Sequence, residues 1–324
     1  MREISYAEAV AEALSEAMEK DPRVCMLGGY FFGLSPRRFL MDEIKDKFGS
    51  SRVQDTPISE IGIAGLGVGA AMAGLRPIVD IATASFIFQA WPQVVNEAAV
   101  AFYMSAGQTR VPVIFHILHG LRGGGAAQHS HSPQSMLWNA PGLQIMLPSS
   151  PADAKGLLNT AVHNDNPTVF VDHSLLFEIR GPVPDGDFRI PFGQGEVKRK
   201  GGDVTIVATS YMVQRSLIVA EKLAGQGIQV EVVDPRTLVP LDKGIILASV
   251  AKTGRVVVVD ECNRSCGIAA EISAIIAEEG FGSLKKPIKR VTRADVPVPF
   301  SAVLENAIAP TEDKIEAAVR SLVS

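Results

Sequence analysis

Cysteine, tryptophan and tyrosine are scarce in this chain: three, two and four residues among 324. Cys25, Cys262 and Cys266 are too few, and odd in number, for a disulfide framework, which points to a reducing compartment. Cys262 and Cys266 have no second cysteine pair or neighbouring histidine to complete a zinc motif. Positive charge is not in excess either. Thirty-five acidic residues against 31 basic leave a formal charge of -4, so nothing marks a surface for nucleic acid or an anionic membrane. No apolar run reaches the roughly 18 to 20 residues of a membrane-spanning helix. The N-terminal MREISYAEAVAEAL turns from charged to helical at once, unlike a signal or transit peptide. A serine-hydrolase elbow, a P-loop and low-complexity tracts are also missing. These absences predict a soluble cytoplasmic protein with no nucleic-acid or membrane partner.

Apolar residues are plentiful at 47%, and the length suggests two domains with sizeable cores. Short β-branched runs begin at 24 (VCMLGG), 76 (RPIVDI), 111 (VPVIFHI), 143 (LQIMLPS) and 168 (TVFVDH), then at 204 (VTIVATS), 228 (IQVEVV) and 255 (RVVVVDE). Helix-period segments separate them at 7–19, 88–105, 151–164, 212–225, 242–253 and 267–279. Strands apolar on both faces and alternating with helices predict an α/β protein with two doubly wound, mostly parallel sheets. The stretch RGPVPDGDFRIPFGQGEVKRKGGD has six glycines and three prolines and no apolar period. It divides the chain into a first domain at 1–185, a linker at 186–200 and a second domain at 201–324.

Two features carry candidate chemistry. In DTPISEIGIAGLGVGAAMAGL, Ser59 is placed to cap a helix, and Glu60 stands in its first turn, where the dipole favours a carboxylate. From position alone Glu60 reads as a surface acid. Gly65, Gly67 and Gly69 lie inside the helical register, whereas a dinucleotide loop must join a strand tip to a helix start. They predict close packing against another backbone, conceivably a partner subunit's. The second feature is histidine: His116, His119, His129 and His131 fall within sixteen residues, around a strand end and the loop LRGGG. Zinc on His119, His129 and His131 is conceivable, but the spacing matches no metal motif. A catalytic or substrate-contacting histidine, or plain loop histidines, are the other readings.

The segments DTPISEIGIAGLGVGAAMAGLRPIVD, AAQHSHSPQSMLWNAPGLQIMLPSSPADAKGLL and DNPTVFVDHSLLF resemble the beta subunits of thiamine-diphosphate-dependent 2-oxoacid dehydrogenase first components, of the pyruvate, branched-chain and acetoin type. GGDVTIVATSYMVQRSL, VVDPRTLVPLD and VTRADVPVPF are similar to the transketolase-like C-terminal domain of that family. The resemblance implies a transketolase-like pyrimidine-binding domain followed by that smaller domain. It implies that Glu60 bonds the aminopyrimidine nitrogen of the cofactor, that Phe86 stacks on the ring, and that Gln89 is a further cofactor contact. His129, in AAQHS, matches a loop histidine near the substrate. Val113, Ala161, Val162, Asn164 and Asn166 match a monovalent-cation site, K+, built mostly from backbone carbonyls; Asn164 stands where Asp is usual. A Gly-Asp-Gly loop with a downstream Asn, which holds the diphosphate and Mg2+, is missing, so an alpha subunit is expected to supply it in an alpha2-beta2 heterotetramer. A lipoyl acyltransferase would take the acyl group. The chain departs from the pattern at 28–32, at Pro92, at His116 in place of Arg, and at Met136-Leu137. Those departures leave two rivals, half of a split transketolase or acyloin-forming carboligase with an aldehyde acceptor, and a non-catalytic partner subunit.

Overall fold

The computed structural model describes residues 1–28, 31–33 and 35–323. Gly29 and Tyr30, in the divergent loop after the first expected strand, lie outside the described residues. The chain forms two compact units: Met1–His119 with Met136–Phe192, and Gly120–Ser135 with Gly193–Ser324.

In the first unit β1 (Arg2–Ser5) leads into α1 (Tyr6–Lys20), followed by β2 (Val24–Leu27), α2 (Phe39–Phe48), β3 (Val53–Gln54), α3 (Glu60–Met72) and β4 (Arg76–Thr83). Then come α4 (Ala99–Met104), β5 (Ile114–Leu118), α5 (Gln134–Trp138), β6 (Gln144–Met146), α6 (Pro151–Val162), β7 (Thr168–Asp172) and β8 (Arg180–Val183). The strands run parallel in the order β6-β7-β5-β4-β2-β3, and β1 pairs antiparallel with β8. Every residue of β5 and β7 is buried, as expected of strands covered on both faces. Local sequence sets the helix starts. Ser5 and Glu8 form a reciprocal capping box at α1, with the Ser5 N–H donating to the Glu8 carboxylate at 2.6 Å and the Glu8 N–H to Ser5 Oγ at 3.2 Å. Ser150 caps α6, and Pro151 occupies its first turn, where a missing N–H costs nothing.

The second unit carries β9 (Glu196–Arg199), β10 (Val204–Ala208), α7 (Tyr211–Ala224), β11 (Val230–Asp234), β12 (Thr237–Val239), α8 (Lys243–Thr253) and β13 (Val256–Asn263). α9 (Ile268–Glu279), β14 (Lys289–Arg293), α10 (Ala302–Ile308) and α11 (Glu312–Val323) complete it. Its sheet runs β14-β13-β10-β11-β9, parallel except for β9. Buried side chains of β10, β11, β13, α7 and α11 form its core.

The α/β architecture with parallel sheets is the expected one, and each of the eight expected strands forms. The segment expected as one helix at 88–105 is instead a π-helical stretch, Pro92–Ala98, running into α4. Residues 120–135 group with the second unit, because their backbone groups bond side chains at 261, 293 and 305. Among the described residues no helix is long and apolar enough to cross a membrane.

Candidate active site

The first sheet has a topological switch point. From β2 the chain passes to β3 on one side, then crosses to β4 on the other, opening a crevice at the strands' carboxyl ends where α/β proteins bind ligands. A cavity of about 170 Å³ lies there, lined by Gly28, Thr56 to Glu60, Ile63, Asp80 to Ala82 and Phe86. Glu60 is half-buried as the first residue of α3. Ser59 is the N-cap residue, but its side chain makes no capping hydrogen bond, contrary to expectation; its backbone at φ -161, ψ 85 departs from the usual cap conformation.

The opposite wall depends on a kink in β4. The Ala82 N–H donates to Asp80 Oδ1 at 2.9 Å, and Ala82 adopts a left-handed φ of 63°. The pairing with β5 shifts register between Asp80 and Thr83. This bulge ends the strand and leads into a 3₁₀ turn, Ala84–Phe88, which carries Phe86 to the cavity. Gly28 is required beside it: φ is +88°, and a Cβ would sit 2.8 Å from the Asp80 carbonyl oxygen. Gln89 follows the turn, is exposed and is not among the residues lining the cavity.

Behind Asp80 lies a feature that only the departure at 116 signalled. His116 is fully buried, with Nδ1 3.0 Å from Asp80 Oδ1 and Nε2 3.2 Å from Asp172 Oδ2. Its ring stacks on Phe31 at 3.8 Å. Burial alone would lower its pKa; hydrogen bonds to Asp172 and Asp80, and their charges, outweigh it and push the pKa up to about 9. Asp80 and Asp172 were not candidates from sequence, although a lone Asp closing an apolar strand was the available signal.

The remaining candidates divide. His129 is exposed at the end of a short turn, Ala127–His129, within the second unit's segment 120–135. His119 and His173 meet edge to face at 4.9 Å in the first unit. The glycines of α3 differ in what surrounds them within this chain. A Cβ on Gly67 would meet the side chain of Val79 at 2.3 Å, Gly65 makes ordinary contacts, and nothing lies within 4 Å of Gly69. Gly67 thus seats α3 on β4, while Ile61, Leu66 and Met72 on the same helix are about half exposed.

The cation expectation also changes. The Arg76 guanidinium donates from Nη1 to the carbonyls of Val162 at 2.9 Å and Asn164 at 2.8 Å, two of the five expected donors. The Val113 carbonyl accepts from the Thr168 N–H, and that of Ala161 from the Asn164 N–H. Asn166 donates to Asn164 Oδ1 at 2.9 and 3.0 Å from its side chain and backbone. Two of the five expected donors therefore already accept from a guanidinium, which brings positive charge to residues 162–164.

Comparison with known proteins places this geometry. Residues 2–178 match the transketolase pyrimidine-binding domain, and residues 193–315 the transketolase C-terminal domain. A solved structure described as a split-gene transketolase, inactive beta4 tetramer, shares the fold at TM-score 0.78 and 24% identity over 99% of this chain and 98% of that one. The acetoin:2,6-dichlorophenolindophenol oxidoreductase subunit beta of Bacillus subtilis is 40% identical, covering 97% of this chain and 95% of the relative. Pyruvate dehydrogenase E1 component subunit beta-1, mitochondrial, of Arabidopsis thaliana is 40% identical over 99% and 90%. The 2-oxoisovalerate dehydrogenase subunit beta of B. subtilis is 39% identical over 99% of each. The chain belongs to this transketolase-like, thiamine-diphosphate-dependent family of dehydrogenase beta subunits.

Proposed function

We propose that this chain is the beta subunit of a thiamine-diphosphate-dependent dehydrogenase that decarboxylates a 2-oxo acid, or cleaves acetoin, and passes the acyl fragment to lipoamide. The observation that carries the reading is the meeting of Glu60 and Phe86 on one small, mostly apolar cavity at the switch point. Such a lining suits a flat heteroaromatic ring: Ile58, Ile63, Ile81 and Phe86 offer apolar contact to its faces, and Glu60 offers a carboxyl group to an edge nitrogen. Thiamine diphosphate, when bound, supplies the nucleophilic carbon and the electron sink that 2-oxo acids require. Glu60 would hold the ring nitrogen, with Gln89 as an outer contact. His129 would hold or deliver a proton at the substrate oxygen.

The chain has no Gly-Asp-Gly loop of the kind that holds Mg2+ and the diphosphate, so an alpha subunit is assigned that role, in an alpha2-beta2 heterotetramer. The half-exposed apolar residues of α3 are offered as part of its subunit contacts. A lipoyl acyltransferase is the assigned acceptor and the cytoplasm the assigned location. Arg76 supplies positive charge at residues 162–164, and the reading needs no K+. The test pairs the purified chain with its alpha subunit, thiamine diphosphate and magnesium, and measures turnover of pyruvate, branched-chain 2-oxo acids and acetoin. Glu60→Gln is expected to lose turnover while keeping the assembly intact; full activity in that variant would remove the role of Glu60.

A further inference from the structure

The segment that carries His129 is held from several sides by buried side chains of the second unit. Arg293 is 5% exposed at the end of β14, and its Nη1 donates to the Ser130 carbonyl at 2.6 Å. The other side of the same guanidinium donates from Nε and Nη2 to Asn263 Oδ1, at 3.0 and 2.5 Å, anchoring it to β13. Glu305, also buried, accepts the N–H groups of Gly123 at 2.8 Å and Gly124 at 3.0 Å, one on each carboxylate oxygen. Both glycines have positive φ, which turns consecutive N–H groups onto one anion. Glu261 accepts the Leu121 N–H at 3.2 Å, and Cys262 Sγ donates to the Ser132 carbonyl at 3.2 Å. The loop also folds closely on itself: a Cβ on Gly125 would lie 2.4 Å from Ser130 Oγ and 3.1 Å from the His129 carbonyl.

His129 itself is exposed at the end of its short turn. Its backbone is set by the residue that follows, and the Ser130 carbonyl is set by Arg293. We infer that Arg293 is a positioning residue, clamping Ser130 to β13 so that the His129 imidazole is presented in one place. The inference rests on the reading of His129 as the substrate-side histidine. A guanidinium suits the task because its fixed fork reaches two acceptors in different directions, which a lysine point charge cannot do with the same geometry. Displacing a reacting group by about 1 Å can cost on the order of a hundredfold in rate, so a remote clamp can govern turnover.

The experiment compares Arg293→Ala, His129→Ala and the double variant, each assembled with the alpha subunit, thiamine diphosphate and magnesium. In Arg293→Ala, kcat is expected to fall by about tenfold or more, with KM and cofactor affinity unchanged. Added guanidinium chloride at millimolar, non-denaturing levels should restore rate, and amide exchange at residues 127–131 should quicken. The double variant should be no slower than His129→Ala, since both changes act through one group. An Arg293→Ala enzyme as fast as wild type beside an impaired His129→Ala enzyme overturns the inference and leaves the role of His129 standing. A His129→Ala enzyme at full rate removes the role itself and the inference with it. Should Arg293→Ala fail to fold, Arg293→Lys decides: reduced kcat with normal cofactor binding supports the clamp, and wild-type kcat overturns it.

Discussion

His116 makes the stability of the first unit depend on pH in a way that can be worked out beforehand. Its folded pKa of about 9 stands above the ordinary 6.5 because two carboxylates hold the protonated ring. A raised folded pKa means that the contribution is fully present below pH ~6.5 and is lost as pH rises through about 9. At ~1.4 kcal/mol per unit, a gap of about 2.5 units corresponds to about 3 kcal/mol. For a unit of this size that is roughly 6 to 12 °C in Tm. The groups facing the imidazole are Asp80 from β4, Asp172 from β7 and, next to Asp172, the Tyr6 phenol of α1; Phe31 and Phe170 are uncharged. Burial pushes the Tyr6 phenol well above its ordinary value, so it stays neutral throughout the window. The comparison variant is His116→Arg, which keeps a cation between the carboxylates but does not titrate below pH ~12. Urea or thermal unfolding of both proteins from pH 6 to 10 isolates His116 as the difference between their slopes. Wild type should lose about 3 kcal/mol relative to His116→Arg over this range. Parallel curves would refute the reasoning, whatever offset the larger side chain introduces.

Four further outcomes follow from packing and charge. Gly67→Ala should destabilise the isolated chain by about 1 to 3 kcal/mol in urea unfolding, because its Cβ would overlap a buried valine on β4. Gly69→Ala, with open space around it, should stabilise by up to ~1 kcal/mol through helix propensity. Arg76→Met should cost about 1 to 3 kcal/mol, since it strips two carbonyls of a donor and leaves Asp165 with Arg110 alone, while exchanging K+ for Na+ should leave the wild-type melting temperature unchanged. Phe86→Ala should weaken thiamine diphosphate binding by about tenfold, read by titration of intrinsic fluorescence in the assembled enzyme, with little change in melting of the chain alone.

Sequence made the framework legible wherever period and composition agreed. Apolar runs gave the eight main strands, whereas Ser59, expected to cap α3, stands at the N-cap without a capping hydrogen bond. Short pieces such as β3 and β12 escaped, because two or three residues carry no period. Resemblance, rather than period, singled out Glu60 and Phe86, and the structure brings both to one cavity. Gln89 does not join them there. The grouping of residues 120–135 with the second unit was not legible. It is decided by Arg293, Glu261 and Glu305 finding backbone partners more than a hundred residues away, and no local pattern encodes such bonds. The partner of residues 162–164 was illegible for a similar reason: Arg76 is far from them in sequence but donates to the Val162 and Asn164 carbonyls.

The buried charge trio ties these threads together. Asp80 and His116 are direct cross-strand partners, and Asp172 lies two residues beyond Phe170, the partner of His116 on the other side. Residues two apart on a strand share a face, so the sheet register alone puts all three on one side. A slip of one residue in β5 would turn the imidazole to the opposite face and leave two buried carboxylates facing no cation. The same Asp80 carboxylate that holds His116 also accepts the Ala82 N–H that kinks β4 toward Phe86. The wall of the cavity and the internal charge balance therefore rest on one side chain. Replacing the Arg common at 116 by His preserves the charge at neutral pH but makes it titratable, so the departure bears first on how firmly the cavity is held, ahead of any effect on the chemistry within it.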